Sequence, residues 1–462
     1  MENTFSPPPT NTNSNPMTKT IYITSSELEK HNKPGDLWIS IHGQVYDVSS
    51  WAALHPGGIA PLLALAGHDV TDAFLAYHPP STSRLLPPFS TNLLLEKHSV
   101  SETSSDYRKL LDSFHKMGMF RARGHTAYAT FVIMILMLVS SVTGVLCSEN
   151  PWVHLVCGAA MGFAWIQCGW IGHDSGHYRI MTDRKWNRFA QILSSNCLQG
   201  ISIGWWKWNH NAHHIACNSL EYDPDLQYIP LLVVSPKFFN SLTSRFYDKK
   251  LNFDGVSRFL VQYQHWSFYP VMCVARLNML AQSFILLFSR REVANRVQEI
   301  LGLAVFWLWF PLLLSCLPNW GERIMFLLAS YSVTGIQHVQ FSLNHFSSDV
   351  YVGPPVGNDW FKKQTAGTLN ISCPAWMDWF HGGLQFQVEH HLFPRMPRGQ
   401  FRKISPFVRD LCKKHNLTYN IASFTKANVL TLETLRNTAI EARDLSNPIP
   451  KNMVWEAVKN VG

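Results

Sequence analysis

No Cys-x-x-Cys pair and no regular cysteine spacing occur in this chain, although it has nine cysteines. That argues against a zinc ribbon, a thioredoxin-type redox pair and a disulfide framework. Several cysteines, such as Cys147, Cys157 and Cys168, lie in apolar runs and read as reduced packing residues. Charge is scarce too. Only 15% of residues are Asp, Glu, Lys or Arg, against about 25% in ordinary soluble domains. The first residues lack the apolar core of a secretory leader, so a first membrane helix is expected to direct insertion. Nor does Glu-x-x-His occur anywhere, which disfavours the carboxylate-rich di-iron site of soluble helical bundles.

What is abundant is aromatic: 13% of residues, with 17 Trp. The length of 462 residues allows two or three domains. The net charge of +8 most simply marks loops facing anionic lipid on the cytosolic side of a membrane protein. A nucleic-acid partner is not expected.

Residues 1–18, with Pro7-Pro8-Pro9 and an Asn/Thr run, are expected to be disordered. Ser25 and Ser26 followed by Glu29 mark a helix start, and Leu37–Ile41 and Gln44–Val48 read as strands joined by a tight turn at His42-Gly43. This predicts a small α+β domain over 19–100. Residues 101–122 read as a linker with a polar helix around Tyr107–Met117. Two apolar runs follow, Tyr128–Leu146 and Val153–Ile171, each about long enough to cross a bilayer. The short turn between them carries no Lys or Arg, so they form a hairpin. Leu301–Leu317 and Ile324–Val339 make a second hairpin. The run Phe268–Phe288 is interrupted by Pro270, Arg276 and Asn278 and is expected to lie in the interface. Four spans place both termini and most Lys and Arg on one side, read as cytosolic. The expected whole is an α+β domain followed by an all-α membrane domain over 123–448 and a polar tail over 449–462. On this topology the sequons at Asn370 and Asn416 face the cytosol and stay unmodified.

Three histidine clusters fall where chain segments meet that one membrane face. They are His173-Asp174-Ser175-Gly176-His177, His210-Asn211-Ala212-His213-His214 and Gln387-Val388-Glu389-His390-His391. On a helix, spacings of three and four residues share one side, so imidazoles can converge on one point. Neutral imidazoles suit Zn, Cu, Fe or Ni. With His345 at the end of a span, the set His173, His177, His210, His213, His214, His345, His390 and His391 is enough for two metal ions. His338, seven residues before His345, is a further candidate. His154 and His381 are not expected to ligate, and His68 reads as a surface residue. Asp174 and Glu389 are positioned to hydrogen-bond liganding imidazoles. Asp223 and Asp225 read as turn or surface residues, and Trp205, Trp206 and Trp208 as an interfacial belt.

The N-terminal domain carries two more histidines, His55 in His55-Pro56-Gly57-Gly58 and His78 in Ala76-Tyr77-His78-Pro79, with an apolar stretch between them. Spacing alone leaves open a pair of axial heme ligands or two turn histidines. Ile41-His42-Gly43-Gln44-Val45-Tyr46-Asp47-Val48-Ser49-Ser50-Trp51, leading into His55-Pro56-Gly57-Gly58, resembles a cytochrome b5 domain. The resemblance covers roughly residues 20–100 and implies heme b held by His55 and His78.

A one-electron carrier fused to a two-metal site suits dioxygen activation, which needs repeated electron delivery, and a substrate presented at a membrane face is most naturally a lipid acyl chain. The three clusters resemble the histidine boxes of plant front-end lipid desaturases with a fused cytochrome b5 domain, from Ile21 to about Pro448. That resemblance implies a di-iron centre, dioxygen as co-substrate, NADH-cytochrome b5 reductase as electron source and the endoplasmic-reticulum membrane as location. Gln387 stands where related desaturases carry His. Its amide oxygen can ligate iron, or it can act through a bridging water. Trp205–Asn209 and Ile215–Asp225 are similar to the Δ6 acyl-lipid enzymes, which act on linoleoyl and α-linolenoyl groups. The Δ8 sphingolipid long-chain-base desaturases share much of this pattern. A b5-fused lipid hydroxylase and a heme-bearing membrane electron carrier are the rival readings.

Overall fold

A computed structural model describes residues 21–355 and 360–444. The segments read over 1–18 and 449–462 lie outside the described residues. The first unit is a five-stranded sheet in the order β1-β5-β4-β3-β2, built from β1 (Ile21–Ile23), β2 (Asn32–Lys33), β3 (Asp36–Ile41), β4 (Gln44–Asp47) and β5 (Ser90–Leu95). Strands β3 and β4 pair antiparallel, with Ile41 opposite Gln44. The turn between them holds His42 at φ 54° and Gly43 at φ 79°, the left-handed geometry that a two-residue hairpin turn requires. Helix α1 (Ser25–Leu28) is capped by the Thr24 hydroxyl. Helices α2 (Ala60–Leu65) and α3 (Thr71–Tyr77) close a pocket over a core of Leu37, Ile39, Ile41, Tyr46 and Val48.

The stretch read as a linker is built into the second unit. Helix α4 (Glu102–Lys116) buries Tyr107, Leu111 and Phe114. Tyr107 packs on Phe361 and Phe393 and donates a hydrogen bond to the Leu392 carbonyl at 2.9 Å. Burial of this apolar side fixes the N-terminal unit to the rest of the chain rather than leaving it on a tether.

Long helices follow: α5 (His125–Cys147), α6 (Pro151–Gly176), the short α7 (Arg184–Gln191), α8 (Ile203–Ile215), α9 (Gly255–Val261), α10 (Gln264–Phe288), α11 (Arg296–Ser315) and α12 (Trp320–Leu343). Among the described residues four helices are long and apolar enough to cross a membrane: Ala127–Cys147, Pro151–Gly176, Gln264–Phe288 and Arg296–Ser315. The number matches the sequence reading and the membership does not. By length and composition α10 qualifies, although an interfacial helix was expected there. It runs through Pro270 without a break. Expected as a span, α12 falls short because Ser330, Thr334, Gln337, His338 and Gln340 dilute its apolar character. Those side chains are buried within the protein rather than facing lipid, which is where polar groups in a membrane helix are tolerated. Close packing explains the burial. A Cβ on Gly158 or Gly162 of α6 would lie 2.7 Å from the Phe326 carbonyl oxygen or 2.5 Å from that of Ser330, so glycine lets α6 and α12 touch backbone to backbone.

Helix α10 is tied at both ends to segments leading toward the histidines. The Gln264 amide accepts from the Val233 backbone at 2.7 Å and donates to the Leu435 carbonyl at 2.8 Å. Near the other end, the Ser283 hydroxyl accepts from the Ser202 backbone at 2.9 Å, one residue before α8. The cap is completed by β6 (Thr243–Ser244) and β7 (Lys249–Lys250), by α13 (Trp360–Ala366), α14 (Asp378–His381), α15 (Gln387–Leu392), α16 (Phe401–Lys414) and α17 (Phe424–Asp444), and by β8 (Leu369–Ser372) paired parallel with β9 (Asn420–Ser423).

Removing the α4 anchor should be costly. Tyr107→Phe strands a buried carbonyl and should destabilise by about 1–3 kcal/mol; Tyr107→Ala adds a cavity and should reach about 3–5 kcal/mol. Thermal unfolding of the detergent-solubilised protein, followed by tryptophan fluorescence, reads this. An unchanged midpoint for both variants would mean that α4 is only a tether.

Candidate metal centre and heme pocket

Four segments bring the clusters together. The C-terminal end of α6 presents His173, and His177 follows as its cap. The box-two helix α8 is started by Ser202, whose hydroxyl accepts from the Trp205 backbone. Its first turn also receives Glu299 of α11, which accepts from the Ser202 hydroxyl at 2.5 Å and the Gly204 backbone at 3.0 Å. A carboxylate there complements the positive end of the helix dipole. His345 stands just past α12, and α15 carries Gln387, His390 and His391.

Two groups of ring nitrogens result. His173, His177, His210, His214 and His390 form one, and His213, Cys217, His345 and His391 the other; within each group the candidate donor atoms all lie within 4.8 Å of one another. In the first group Nε2 of His173 is 3.1 Å from Nε2 of His390, and Nε2 of His210 is 3.1 Å from His177 and 2.9 Å from His214. In the second, every imidazole is held from behind. His213 Nδ1 donates to the Asp223 carboxylate at 2.9 Å, His391 Nδ1 to the Gln364 side-chain oxygen at 2.8 Å, and His345 Nδ1 to the Gly367 carbonyl at 3.0 Å. These bonds fix the tautomer that leaves Nε2 facing inward as a ligand. Gln387 reaches between them, its side-chain nitrogen 2.9 Å from His345 Nε2 and 3.2 Å from His391 Nε2. Its amide oxygen is buried and has no hydrogen-bond partner.

Burial, reinforced by neighbouring imidazoles, holds His177, His210, His214, His345, His390 and His391 well below the usual histidine range, in the neutral form that binds metals. His213 differs. Burial works against its charged form, yet Asp223 and Asp225 beside it raise it to about 9. Cys217 is a packing residue. Burial pushes its thiol well above the usual range, and its sulfur faces the Gly367 carbonyl at 3.6 Å and the outer nitrogen of His345 at 3.7 Å.

The donor set fits iron: buried imidazoles, no thiolate, and, in the second group, acceptors on the outer nitrogens. The heme pocket fits as well. The His55 and His78 rings face each other with centroids 6.0 Å apart. His55 Nδ1 donates to the Gly58 carbonyl at 2.8 Å and His78 Nδ1 to the Phe74 carbonyl at 3.1 Å. Among the described residues neither Nε2 has a hydrogen-bond partner, so both remain for axial ligation. A Cβ on Gly57 would meet the His55 ring at 2.8 Å, so a larger residue would displace that ring. Burial lowers His55, and burial together with His55 lowers His78 to about 4, keeping both rings neutral.

The heme pocket sits directly on the box-two helix. Asn211 donates to the Gly57 carbonyl at 3.1 Å, and the Tyr77 hydroxyl donates to the His214 carbonyl at 3.2 Å. Tyr77 immediately precedes His78, so one residue links a candidate heme ligand to a member of the first histidine group.

The sequence matches the fatty acid desaturase family over residues 150–423 and the cytochrome b5-like heme/steroid binding domain over 24–119. The chain belongs to the fatty acid desaturase family. It is 65% identical to an acyl-lipid (9-3)-desaturase of Borago officinalis over 96% of this chain and 98% of that protein. It is 58% identical to Delta(8)-fatty-acid desaturase 2 of Arabidopsis thaliana, over 96% of this chain and 99% of that one. A Delta 8-(E)-sphingolipid desaturase of Emericella nidulans is 37% identical over 63% of this chain. This desaturase is therefore a membrane oxidoreductase of the b5-fused front-end type, with heme b, an iron pair and dioxygen as co-substrate.

Several expected roles change on contact with the geometry. Asp223 is fully buried and orients His213, besides capping its own turn; two intervening turns hide that pairing in the sequence. Asp174 acts on the first group mainly through Arg179, which it binds at 2.5 Å. Arg179 was not anticipated. It is buried and donates to Nδ1 of His390 at 2.9 Å and of His173 at 3.1 Å. Its place two residues after the first box was the available signal. Gln364 had none. Glu389 touches no imidazole and instead bonds Asn370 at 2.9 Å and Tyr419 at 2.5 Å. That leaves Asn370 buried as well as bonded. His338 donates to the Met272 carbonyl at 2.8 Å, outside both groups. The tryptophans are not a belt: Trp206 stacks on His210 at 4.3 Å and Trp208 lies on Phe246 beside the heme loop.

Loss of an orienting acceptor typically lowers metal affinity about 10–100-fold. Asp223→Ala should therefore weaken the second iron by that factor and leave the heme spectrum unchanged. Non-heme iron counted against heme during graded chelation checks this; parallel chelation curves for variant and parent would remove Asp223 from the centre.

Proposed function

We propose that this enzyme inserts a double bond at Δ6 of linoleoyl and α-linolenoyl groups carried on membrane lipids. The observation that carries the reading is the comparison of identities over the same length. The relative named for (9-3) chemistry, position 9 less 3, stands at 65%, and the Δ8 relatives stand at 57–58%. The Δ8 sphingolipid long-chain base is the second reading, because the Delta(8) relatives also cover 96% of the chain and relatives named for Δ8 sphingolipid chemistry cover 62–69% of it.

In this proposal His173, His177, His210, His214 and His390 hold one iron, and His213, His345 and His391 the other, with Gln387 beside it. His55 and His78 hold the heme. When bound, these groups supply one-electron transfer and dioxygen reduction: –CH2–CH2– + O2 + 2e⁻ + 2H⁺ gives –CH=CH– + 2H2O. The chain's own residues do the rest. Asp223, Gln364 and the Gly367 carbonyl fix the imidazoles, and Arg179 with Asp174 braces His173 and His390. Tyr77 and Asn211 keep the heme pocket against α8, which supports direct electron passage within one chain. The electrons come from NADH through a separate cytochrome b5 reductase. We place the enzyme in the endoplasmic-reticulum membrane with both termini and all histidine boxes cytosolic, and α10 along the interface. The anchoring of α10 at both ends by cap segments supports that placement.

Expression in yeast fed linoleic acid tests the proposal, with acyl groups and sphingoid bases analysed separately. A new Δ6 bond in acyl chains, absent from a His213→Ala variant that keeps its heme spectrum, is the expected result. Unsaturation confined to long-chain bases would transfer the assignment to the Δ8 reading. A product heavier by one oxygen would indicate hydroxylation.

A further inference from the structure

Arg395 stands in the stretch Phe393-Pro394-Arg395-Met396-Pro397, four residues past His391. Its backbone is held firmly. Pro394 and Pro397 restrict the chain on either side. The Met396 amide donates to the Phe393 carbonyl at 2.9 Å, and the Phe393 and Met396 side chains are fully buried. The Arg395 side chain has no such hold. It is half-buried, and among the described residues it forms no hydrogen bond and no ion pair. A cation drawn out of water without a partner is costly. A guanidinium left idle on a fixed segment is preorganised for an anion.

Its location identifies the anion. Phe393 and Met396 pack in one core with Ala73 and Ala76 of α3 and with Tyr77. Arg395 lies between them in the chain, at the end of α3 where His78 is the cap. Its charge is felt there: burial first, then His55 and the Arg395 guanidinium, lower His78. A second cation is near. Arg184, at the start of α7, rests on the Tyr178 ring at 5.7 Å and also forms no ion pair among the described residues. Burial, and after it Arg184, lowers Arg395 to about 10. Heme b brings two propionate carboxylates to this place, and its own unit offers them little. Between His55 and Ser90 the one Lys or Arg is Arg84, which is exposed. His78 is followed by Pro79-Pro80, which have no backbone N–H to donate. A guanidinium matches a carboxylate in charge and in the spacing of its donors.

We infer that Arg395 binds a propionate of the heme held by His55 and His78, so that the desaturase unit supplies part of the heme pocket of the first unit. One stiff segment then carries both His391, a member of the second histidine group, and the seat of a heme carboxylate. Binding heme and fixing the first unit on the histidine cap become one event. The guanidinium also offsets negative charge at the heme edge and so favours the reduced heme. The site is independent of which lipid is desaturated.

The purified full-length holoenzyme is compared with Arg395→Gln, Arg395→Lys and Arg84→Gln. Heme loss is followed as transfer to excess apomyoglobin, and the heme midpoint potential by redox titration. Loss of a charge-assisted hydrogen bond on a half-buried group should speed heme loss about 10-fold in Arg395→Gln. Its potential should fall, and Arg395→Lys should keep most of both properties. Arg84→Gln should match the parent, and non-heme iron should be equal throughout. Parent and Arg395→Gln are then emptied and refilled with heme dimethyl ester, which has no carboxylate; their rates of loss should become the same. Parent-like heme loss and potential in Arg395→Gln would overturn the inference. So would a difference that persists with the ester, because Arg395 would then act on the fold and not on a propionate. Heme loss that follows Arg84 instead would overturn it as well.

Discussion

Eight imidazoles from four chain segments are buried against one another, and the rest of the structure is arranged around that unfavourable fact. Burial of an unpaired polar group is costly, and here Nε2 atoms meet at 2.9–3.1 Å with no carboxylate between them. Cations placed among those nitrogens relieve the conflict. The protein prepares for them from outside the shell, with acceptors behind the second group and a guanidinium behind the first. Orientation is thus settled by the fold before any iron arrives.

The same demand explains the helices. Close approach of α6 and α12 at Gly158 and Gly162 brings His173 and His345 to one depth. Polar side chains on α12 are tolerated because that helix is wrapped by its neighbours. Glu299 and Ser202 fix the start of α8, and the heme pocket rests on its far end through Asn211 and Tyr77. Electron delivery and the iron pair therefore share one helix, and α4 locks the two units by burying Tyr107 and Phe114.

Much of this was legible in the residues. The His42-Gly43 turn, the two strands beside it, the paired heme histidines and the histidine boxes all carry local signals: turn chemistry, alternating apolar residues, helical spacing. What escaped depended on contacts between distant segments. Asp223 looks like a turn residue because it is one, and only the packing of its turn under α8 shows that it also orients His213. Gln364 sits in an unremarkable helix. Trp206 was read from its position near the membrane, whereas its stacking on His210 is decided by the small residue opposite: a Cβ on Gly176 would lie 2.2 Å from the Trp206 ring. Composition alone does not separate α10 from α12, since it does not register which face meets lipid and which meets protein.

The central claim is that the two histidine groups hold an iron pair beside one heme. The Mössbauer spectrum of the purified protein grown on 57Fe tests it most directly. The account predicts two non-heme iron sites for each heme, magnetically coupled and bound by nitrogen donors, with the second site lost first when the Gln364 acceptor behind His391 is removed. A single uncoupled non-heme iron per heme, or a centre filled by zinc in active protein, would contradict it.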